Sequence, residues 1–197
     1  LKAGLIPDPF YQENEGEVLK LSDFDYEYSA EFIISDEMLR TKYLDLYCKG
    51  IDTLSELYLN GTLLANTNNM HREYRFDIKA LVAKGVNTIR IVLLSPVKYM
   101  IERHENREID RFTATESLPG IQYIRKCHSM SGWDWGPKLP DAGIWRDILI
   151  ESYDTRIDEV RMIQNHGETI SLTVMVNIVS DTVMTYKAVL TDPEGAV

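Results

Sequence analysis

Two of the chain's three tryptophans, Trp133 and Trp135, stand on either side of a single aspartate, Asp134. An aromatic ring can stack on the apolar face of a pyranose, and a carboxylate can accept paired hydrogen bonds from neighbouring hydroxyls. Gly132 and the pair Gly136-Pro137 bracket the three residues, and glycine and proline restrict the path of a turn. The pattern therefore indicates a loop that binds a sugar.

The same residues also have an interpretation that needs no ligand. Both tryptophans could pack inside the protein, and Asp134 could cap a local turn through its carboxylate. The residue types alone do not choose between these two interpretations, so the segments around the loop carry the decision.

Four motifs in a fixed order connect this chain to a known family. They are AGLIPDPFY at residues 3–11, GIDTLSELYLNG at 50–61, IRK with GWDWGP at 124–137, and PDAGIWR at 140–146. With them, residues 1 to about 153 resemble the N-terminal part of β-mannosidases, in the glycoside hydrolase group (family 2) that also holds β-galactosidases and β-glucuronidases. The resemblance continues more weakly to the end. Ser131 departs from it, because such proteins often carry Phe there.

The resemblance implies a role for the loop in an exo-acting β-mannosidase, which removes terminal non-reducing β-D-mannose. Asp134 would accept hydrogen bonds from the sugar, and Trp133 and Trp135 would shape the pocket wall. The family's two catalytic glutamates lie on a (β/α)8 barrel, which this chain does not include and against which the loop would pack. We therefore expect no catalytic residue in this fragment, and no hydrolysis by the fragment alone.

Several alternatives stay open on the sequence. The chain could be a stand-alone carbohydrate-binding module, a structural or interaction domain, or the same domain of a β-galactosidase or β-glucuronidase. Arg125 and Lys126 could pair with acids near the pocket, brace the loop, or be solvated. Asp8 and Pro9 are expected to anchor the leading segment rather than to touch substrate.

Composition excludes some classes of partner. The net charge of −10 and the 31 acidic side chains argue against nucleic acid and anionic membranes, since both need a basic face. The four histidines are scattered and the two cysteines lack metal spacing, so we expect neither a metal site nor a cofactor. We expect Cys48 to be a buried thiol. The compartment is not determined: a cytoplasmic location is favoured over a secretory or lysosomal-type route.

Alternating apolar residues predict an all-β fold. Short strands separated by turns predict an antiparallel sandwich at residues 1–153, which the resemblance makes a jelly-roll, galactose-binding-like sandwich. Residues 154–197 would hold the first strands of an incomplete immunoglobulin-like sandwich, with strands at 170–178 and 184–190.

The sequence also predicts individual helices, turns and strands. Residues 1–21 read as irregular, and residues 78–83 as one helical turn. A type I′ hairpin turn is expected at Asn60-Gly61 and a helix at 97–107. Residues 144–150 read as a continuous strand, which would bury Trp145 in the core.

Overall fold

The computed structural model describes residues 4–106, 116–134 and 136–195 of the chain. The chain forms two compact units, Leu1–Ser152 and Tyr153–Val197. The helices of the described part are α1 (Asn14–Leu19), α2 (Asp36–Arg40) and α3 (Pro96–Asn106), and short 3-10 turns lie at Lys20–Asp23, Ile121–Tyr123 and His128–Met130. Its strands are β1 (Tyr26–Ile34), β2 (Tyr43–Cys48), β3 (Ile51–Asp52), β4 (Leu54–Leu59), β5 (Thr62–Asn68), β6 (Tyr74–Asp77), β7 (Gly85–Leu93), β8 (Ser131–Trp133), β9 (Gly136–Lys138), β10 (Gly143–Ile144), β11 (Ile148–Tyr153), β12 (Arg156–His166) and β13 (Ile170–Val179).

The first unit is built on two sheets. One has the strand order β1-β7-β4-β5 and the other the order β11-β2-β6. Antiparallel pairing in the first sheet runs along all nine residues of β1, from Tyr26 opposite Leu93 to Ile34 opposite Gly85. The turn between β4 and β5 has positive φ at Asn60 and Gly61 (49° and 81°), as the predicted type I′ turn requires.

Apolar side chains from both sheets form one core. Its buried members are Ile34, Leu44, Leu46, Cys48, Ile51, Leu57, Leu59, Ile78, Ile91 and Leu93. Strand periodicity places every second side chain on the inner face, so the alternation in the sequence is what brings these residues together. The predicted all-β, galactose-binding-like sandwich is confirmed, and so is the buried thiol of Cys48.

A second, smaller cluster lies under α3. Leu54, Val97, Met100 and Ile124 are its buried residues. The helix observed at Pro96–Asn106 agrees with the predicted one. Residues 107–115, which include most of the loop expected at 109–120, lie outside the described residues.

The expected continuous strand at residues 144–150 is wrong. The backbone N–H groups of Trp145 and Arg146 both donate to the carbonyl of Gly50, at 3.2 and 3.4 Å, which bends the chain between β10 and β11. β10 pairs with β3, whereas β11 pairs with β2. The bend turns Trp145 outward, with 45% of its surface exposed, so its expected core position is wrong as well.

Two other local expectations need correction. The leading segment is not wholly irregular, because α1 and a 3-10 turn occupy Asn14–Asp23. Acidic residues in the first turn of α1 and the Glu17–Lys20 ion pair favour this helix. Residues 79–81 form one hydrogen-bonded turn, in which the Leu81 N–H donates to the Ile78 carbonyl at 2.9 Å, and this turn is shorter than the helical turn expected at 78–83.

The second unit contains a two-stranded hairpin, β12-β13. Its register runs from Arg156 opposite Val179 to His166 opposite Ile170. The strand expected at 184–190 is absent from the described residues; no third strand pairs there to give it a ladder. In the part of the chain that the structure describes, no helix has the length and apolar character needed to cross a membrane.

Candidate sugar-binding loop

The predicted loop is the tip of a β-hairpin. Ser131 lies opposite Lys138, and Trp133 lies opposite Gly136, so Asp134 lies in the turn between the two strands. Trp133 is 39% exposed, and Asp134 is exposed at the tip. Trp135 lies outside the described residues. The hairpin thus presents an aromatic ring and a carboxylate at its end.

The exposure of Trp133 bears on the alternative interpretation, in which both tryptophans pack inside the protein and bind no ligand. Trp133 is too exposed to be a core residue. What Trp133, Asp134 and Trp135 bind stays a prediction.

The stem of the hairpin is held by backbone hydrogen bonds. The carbonyl of Ser131 accepts from the N–H of Leu118 at 2.8 Å, and the carbonyl of Met130 accepts from the N–H of Leu139 at 2.9 Å. Ser131 is buried, so the residue that departs from the family pattern sits in a closed environment where a phenyl ring would need additional space.

Gly132 is required by the stem's close packing. Its φ is +89°, and a Cβ at this position would lie 2.5 Å from Lys138 Cγ and 3.2 Å from the carbonyl oxygen of Glu116. Positive φ is costly for residues with a Cβ. The glycine before the Trp-Asp-Trp sequence therefore lets the two hairpin strands approach each other.

A side chain from the opposite end of the sequence also holds the stem. The carboxylate of Glu15, on α1, accepts a hydrogen bond from the backbone N–H of Lys138 at 2.7 Å. Sequence reasoning missed Glu15. Its closeness to the AGLIPDPFY motif was the one available signal, and that signal does not identify Lys138 as the partner.

Lys126 is buried just upstream of the hairpin. Its ammonium group forms an ion pair with the Asp52 carboxylate and donates a hydrogen bond to the backbone carbonyl of Asp141. The Thr53 hydroxyl donates to the same carboxylate. Of the alternatives for Lys126, the structure supports bracing: the ammonium joins β3 to the segment that follows the hairpin.

Asp141 is affected electrostatically by this cluster. Burial raises the pKa of the Asp141 carboxyl above its ordinary value, and the nearby Asp52 carboxylate acts in the same direction, whereas Lys126 lowers it. A net rise in the carboxyl's pKa means that the folded protein disfavours the ionised form.

Arg125 and Asp8 have structural roles. The Arg125 side chain is exposed, and its backbone carbonyl accepts from the N–H of Met70 at 2.9 Å. The Asp8 carboxylate accepts from the N–H of Phe10 at 3.0 Å, and its carbonyl accepts from the Asn14 side chain at 2.9 Å. Asp8 thus makes hydrogen bonds within the leading segment, and its expected role as an anchor of that segment stays a prediction.

A groove of about 570 Å³ opens between the edges of the two sheets. Its lining is mostly apolar, with Phe32, Ile89 and Ile148 among the contributors. Trp145 and Arg146 lie at this groove, with the guanidinium 4.1 Å from the centre of the indole ring. No sequence pattern indicates this groove, because the outward turn of Trp145 depends on the contact with Gly50.

No group of three His, Cys, Asp or Glu side chains lies close enough to hold a metal ion within residues 4–106, 116–134 and 136–195. The two cysteines are free thiols, Cys48 buried and Cys127 partly buried.

Comparison with known proteins gives a consistent result. Residues 1–146 match the family described as the glycosyl hydrolase 2 galactose-binding domain-like family. Over 157 residues the chain is 34% identical to β-mannosidase of Capra hircus, covering 76% of this chain and 18% of that protein. It is 30% identical over 145 residues to β-mannosidase B of Aspergillus oryzae, covering 71% and 17%. The chain thus spans less than a fifth of these relatives.

Solved structures resemble the fold. The β-D-mannosidase from Dictyoglomus thermophilum superimposes with a TM-score of 0.83 at 34% identity, over 90% of this chain and 22% of that one. The exo-chitosanase of Amycolatopsis orientalis gives a TM-score of 0.63 at 20% identity, over 92% and 19%, and shows the likeness of fold alone. With the sandwich, the hairpin and the match over residues 1–146, the chain belongs to the glycosyl hydrolase 2 galactose-binding-like domain family.

Proposed function

We propose that this chain is the N-terminal sugar-binding part of an exo-acting β-mannosidase that hydrolyses terminal non-reducing β-D-mannose residues. Asp134 accepts hydrogen bonds from the hydroxyls of the terminal sugar, and Trp133 and Trp135 form part of the pocket wall. The two carboxyl groups that retaining hydrolysis needs, about 5–5.5 Å apart, belong to a barrel elsewhere in the protein, against which the loop packs.

The observation that carries this proposal is the hairpin's construction. Its tip exposes Trp133 and Asp134, while its stem is held by backbone bonds and by Glu15. A rigid stem with an exposed aromatic and acidic tip suits a binding group that must keep one position. The identity to β-mannosidases supports the choice of sugar.

The test is hydrolysis of aryl β-mannoside, β-galactoside and β-glucuronide by the full-length protein, with and without Asp134→Ala. Loss of two charge-assisted hydrogen bonds, each worth about 1.5–3 kcal/mol, lowers kcat/KM on the mannoside by roughly a hundredfold or more. Asp134→Asn keeps one acceptor oxygen, so its kcat/KM should lie between that of the parent protein and that of Asp134→Ala.

Asp147→Ala is the matched control. Asp147 is also an exposed aspartate near the end of the sandwich domain, with a long contact to Lys49 at 3.6 Å, and its loss should leave the kinetics unchanged. Full mannosidase activity in Asp134→Ala, at unchanged folding stability, would refute the role of the loop. Preference for galactoside or glucuronide would instead move the protein to a sibling specificity.

Titration of the isolated chain with mannose tests the binding-module alternative. Part of a pocket leaves sugar hydroxyls without partners, so we expect no saturation at millimolar sugar. Tight binding by the isolated chain would favour a stand-alone carbohydrate-binding module.

For residues 154–197 we propose the beginning of an immunoglobulin-like sandwich. The β12-β13 hairpin pairs Val160 with Val176 and Met162 with Val174, which places these four apolar side chains on one face. Met162 is 67% exposed. A two-stranded hairpin is at best marginally stable alone, and an apolar face of this kind is what further strands would cover.

A further inference from the structure

The leading segment of the chain, residues 8–25, makes a side-chain hydrogen bond to the candidate sugar-binding hairpin. The contact is the hydrogen bond from the Lys138 N–H to the Glu15 carboxylate. Lys138 belongs to β9, two residues beyond Gly136, where the hairpin leaves its tip. α1 and β9 also pack against each other. A charged acceptor on a backbone N–H is a strong, directional contact.

Both sides of α1 are fixed, so Glu15 is itself held in place. On its N-terminal side, the Asn14 side chain donates to the carbonyl of Asp8 at 2.9 Å. On its C-terminal side, the buried Ser95 hydroxyl donates to the carbonyl of Ser22 at 2.6 Å, and the Ser95 N–H donates to the Asp25 carboxylate at 2.8 Å. The helix is therefore tied to the start of α3.

The other glutamate of α1 makes a different contact. Glu17 pairs with Lys20, one turn along, and both side chains are exposed. Glu17 thus has no described contact with the hairpin, whereas Glu15 has one. The two residues share the helix, its charge and its macrodipole, so they separate the effect of the contact from the effect of acidity in α1.

We propose that Glu15 is a positioning residue for sugar binding, which fixes β9 and thereby the pose of Asp134 at the hairpin tip. The inference rests on the proposed function. Glu15 does not touch the sugar; it acts through the backbone of Lys138. Small displacements of a binding group can lower the rate strongly, by about a hundredfold for a misplacement of about 1 Å.

The experiment is a double-mutant cycle in the full-length protein, measured on an aryl β-mannoside. Glu15→Ala should lower kcat/KM by roughly tenfold, and Glu15→Gln, which keeps an acceptor oxygen, should restore most of the loss. Glu17→Ala should change nothing. In the Asp134→Ala background, Glu15→Ala should have almost no further effect, because a residue that acts through Asp134 has nothing left to position.

Amide hydrogen exchange supplies a second measurement. The N–H of Lys138 should lose protection in Glu15→Ala and keep it in Glu17→Ala. An equal loss of activity with and without Asp134 would overturn the inference, because it would show a general structural effect. Unchanged activity in Glu15→Ala would also overturn it. Full activity in Asp134→Ala alone would instead refute the role of the loop in the proposed function, and this result is distinct from a failure of the inference about Glu15.

Discussion

The ammonium group of Lys126 is almost completely buried and faces the carboxylate of Asp52 across the base of the hairpin. Removing water from two charges is costly, and their attraction offsets that cost only when both partners are present. The backbone carbonyl of Asp141 and the Thr53 hydroxyl complete the hydrogen bonding. Removing one member of the pair should therefore lower the free energy of unfolding more than replacing both.

At the residue scale, Lys126→Met should be strongly destabilising. It leaves the Asp52 carboxylate buried without a counter-charge, which costs about 3–5 kcal/mol in the free energy of unfolding. Adding Asp52→Asn should recover a substantial part of that loss. Urea denaturation of the single and double variants measures both effects.

Lys84→Met is the matched control, because Lys84 pairs with Asp36 on the surface with both side chains more than half exposed. Exposed pairs contribute little, so this variant should unfold like the parent. A Lys126→Met protein as stable as Lys84→Met would contradict the role of the buried pair.

The position of a side chain could be predicted from the sequence only where neighbouring residues determine it. Trp133 and Asp134 are neighbours in sequence, and the tip that exposes them is set by the glycines beside them. The partner of Lys126, in contrast, lies 74 residues away, and nothing in either segment indicates the other. Trp145 was misplaced because a contact with the distant Gly50 interrupts its strand.

At the scale of elements, the β8-β9 hairpin depends on the absence of a side chain at residue 132. Gly132→Ala adds a Cβ at positive φ and against Lys138 Cγ. The backbone strain alone costs about 1–3 kcal/mol. We expect the variant to unfold at lower urea, and the mannosidase activity proposed for the full-length protein to fall.

Gly136→Ala provides the comparison within the same hairpin. A Cβ there meets no atom within 4 Å, and the φ of Gly136 is not positive, so this change should be tolerated. If the two substitutions reduced stability equally, the close packing at Gly132 would not be the cause.

Helices and strands could be predicted where a local sequence pattern, such as apolar alternation or a turn dipeptide, determines them. Apolar residues alternate along the sequences of β1, β2 and β7, which is the period of a strand, and Asn60-Gly61 indicates a hairpin turn. The helix α1 was missed because it has no buried residue, and hence no apolar periodicity to detect. Residues 184–190 alternate without forming a strand, since pairing requires a neighbour that sequence alternation does not provide.

At the scale of the whole molecule, Cys48 reports on the sandwich as a unit. It lies in the middle of the core, and burial raises the pKa of its thiol from 9.0 to about 12. Since the folded pKa is raised, the thiol's contribution to stability is complete below pH 9 and is lost as the pH rises through about 12. Cys127, in the same unit, is only partly buried.

We therefore expect one of the two thiols to react with an aromatic disulfide reagent in the native protein, and both in denaturant. The thiolate is the reactive form, and the folded core keeps Cys48 both protonated and inaccessible. Cys127→Ala should abolish the native reaction. Rapid modification of Cys48 without denaturant would show that the sandwich opens locally around its core.

The contact between Glu15 and Lys138 joins residues that are 123 positions apart in the chain. The entropic cost of closing this long loop must be met before the contact can stabilise the fold. On a ribosome adding about 5–20 residues each second, α1 waits roughly 6 to 25 seconds for its partner strand to be made. The β8-β9 hairpin is consequently among the last parts of the sandwich to be fixed in place during synthesis. A nascent chain that has completed the core strands β1 to β7 still lacks the hairpin that we propose binds sugar.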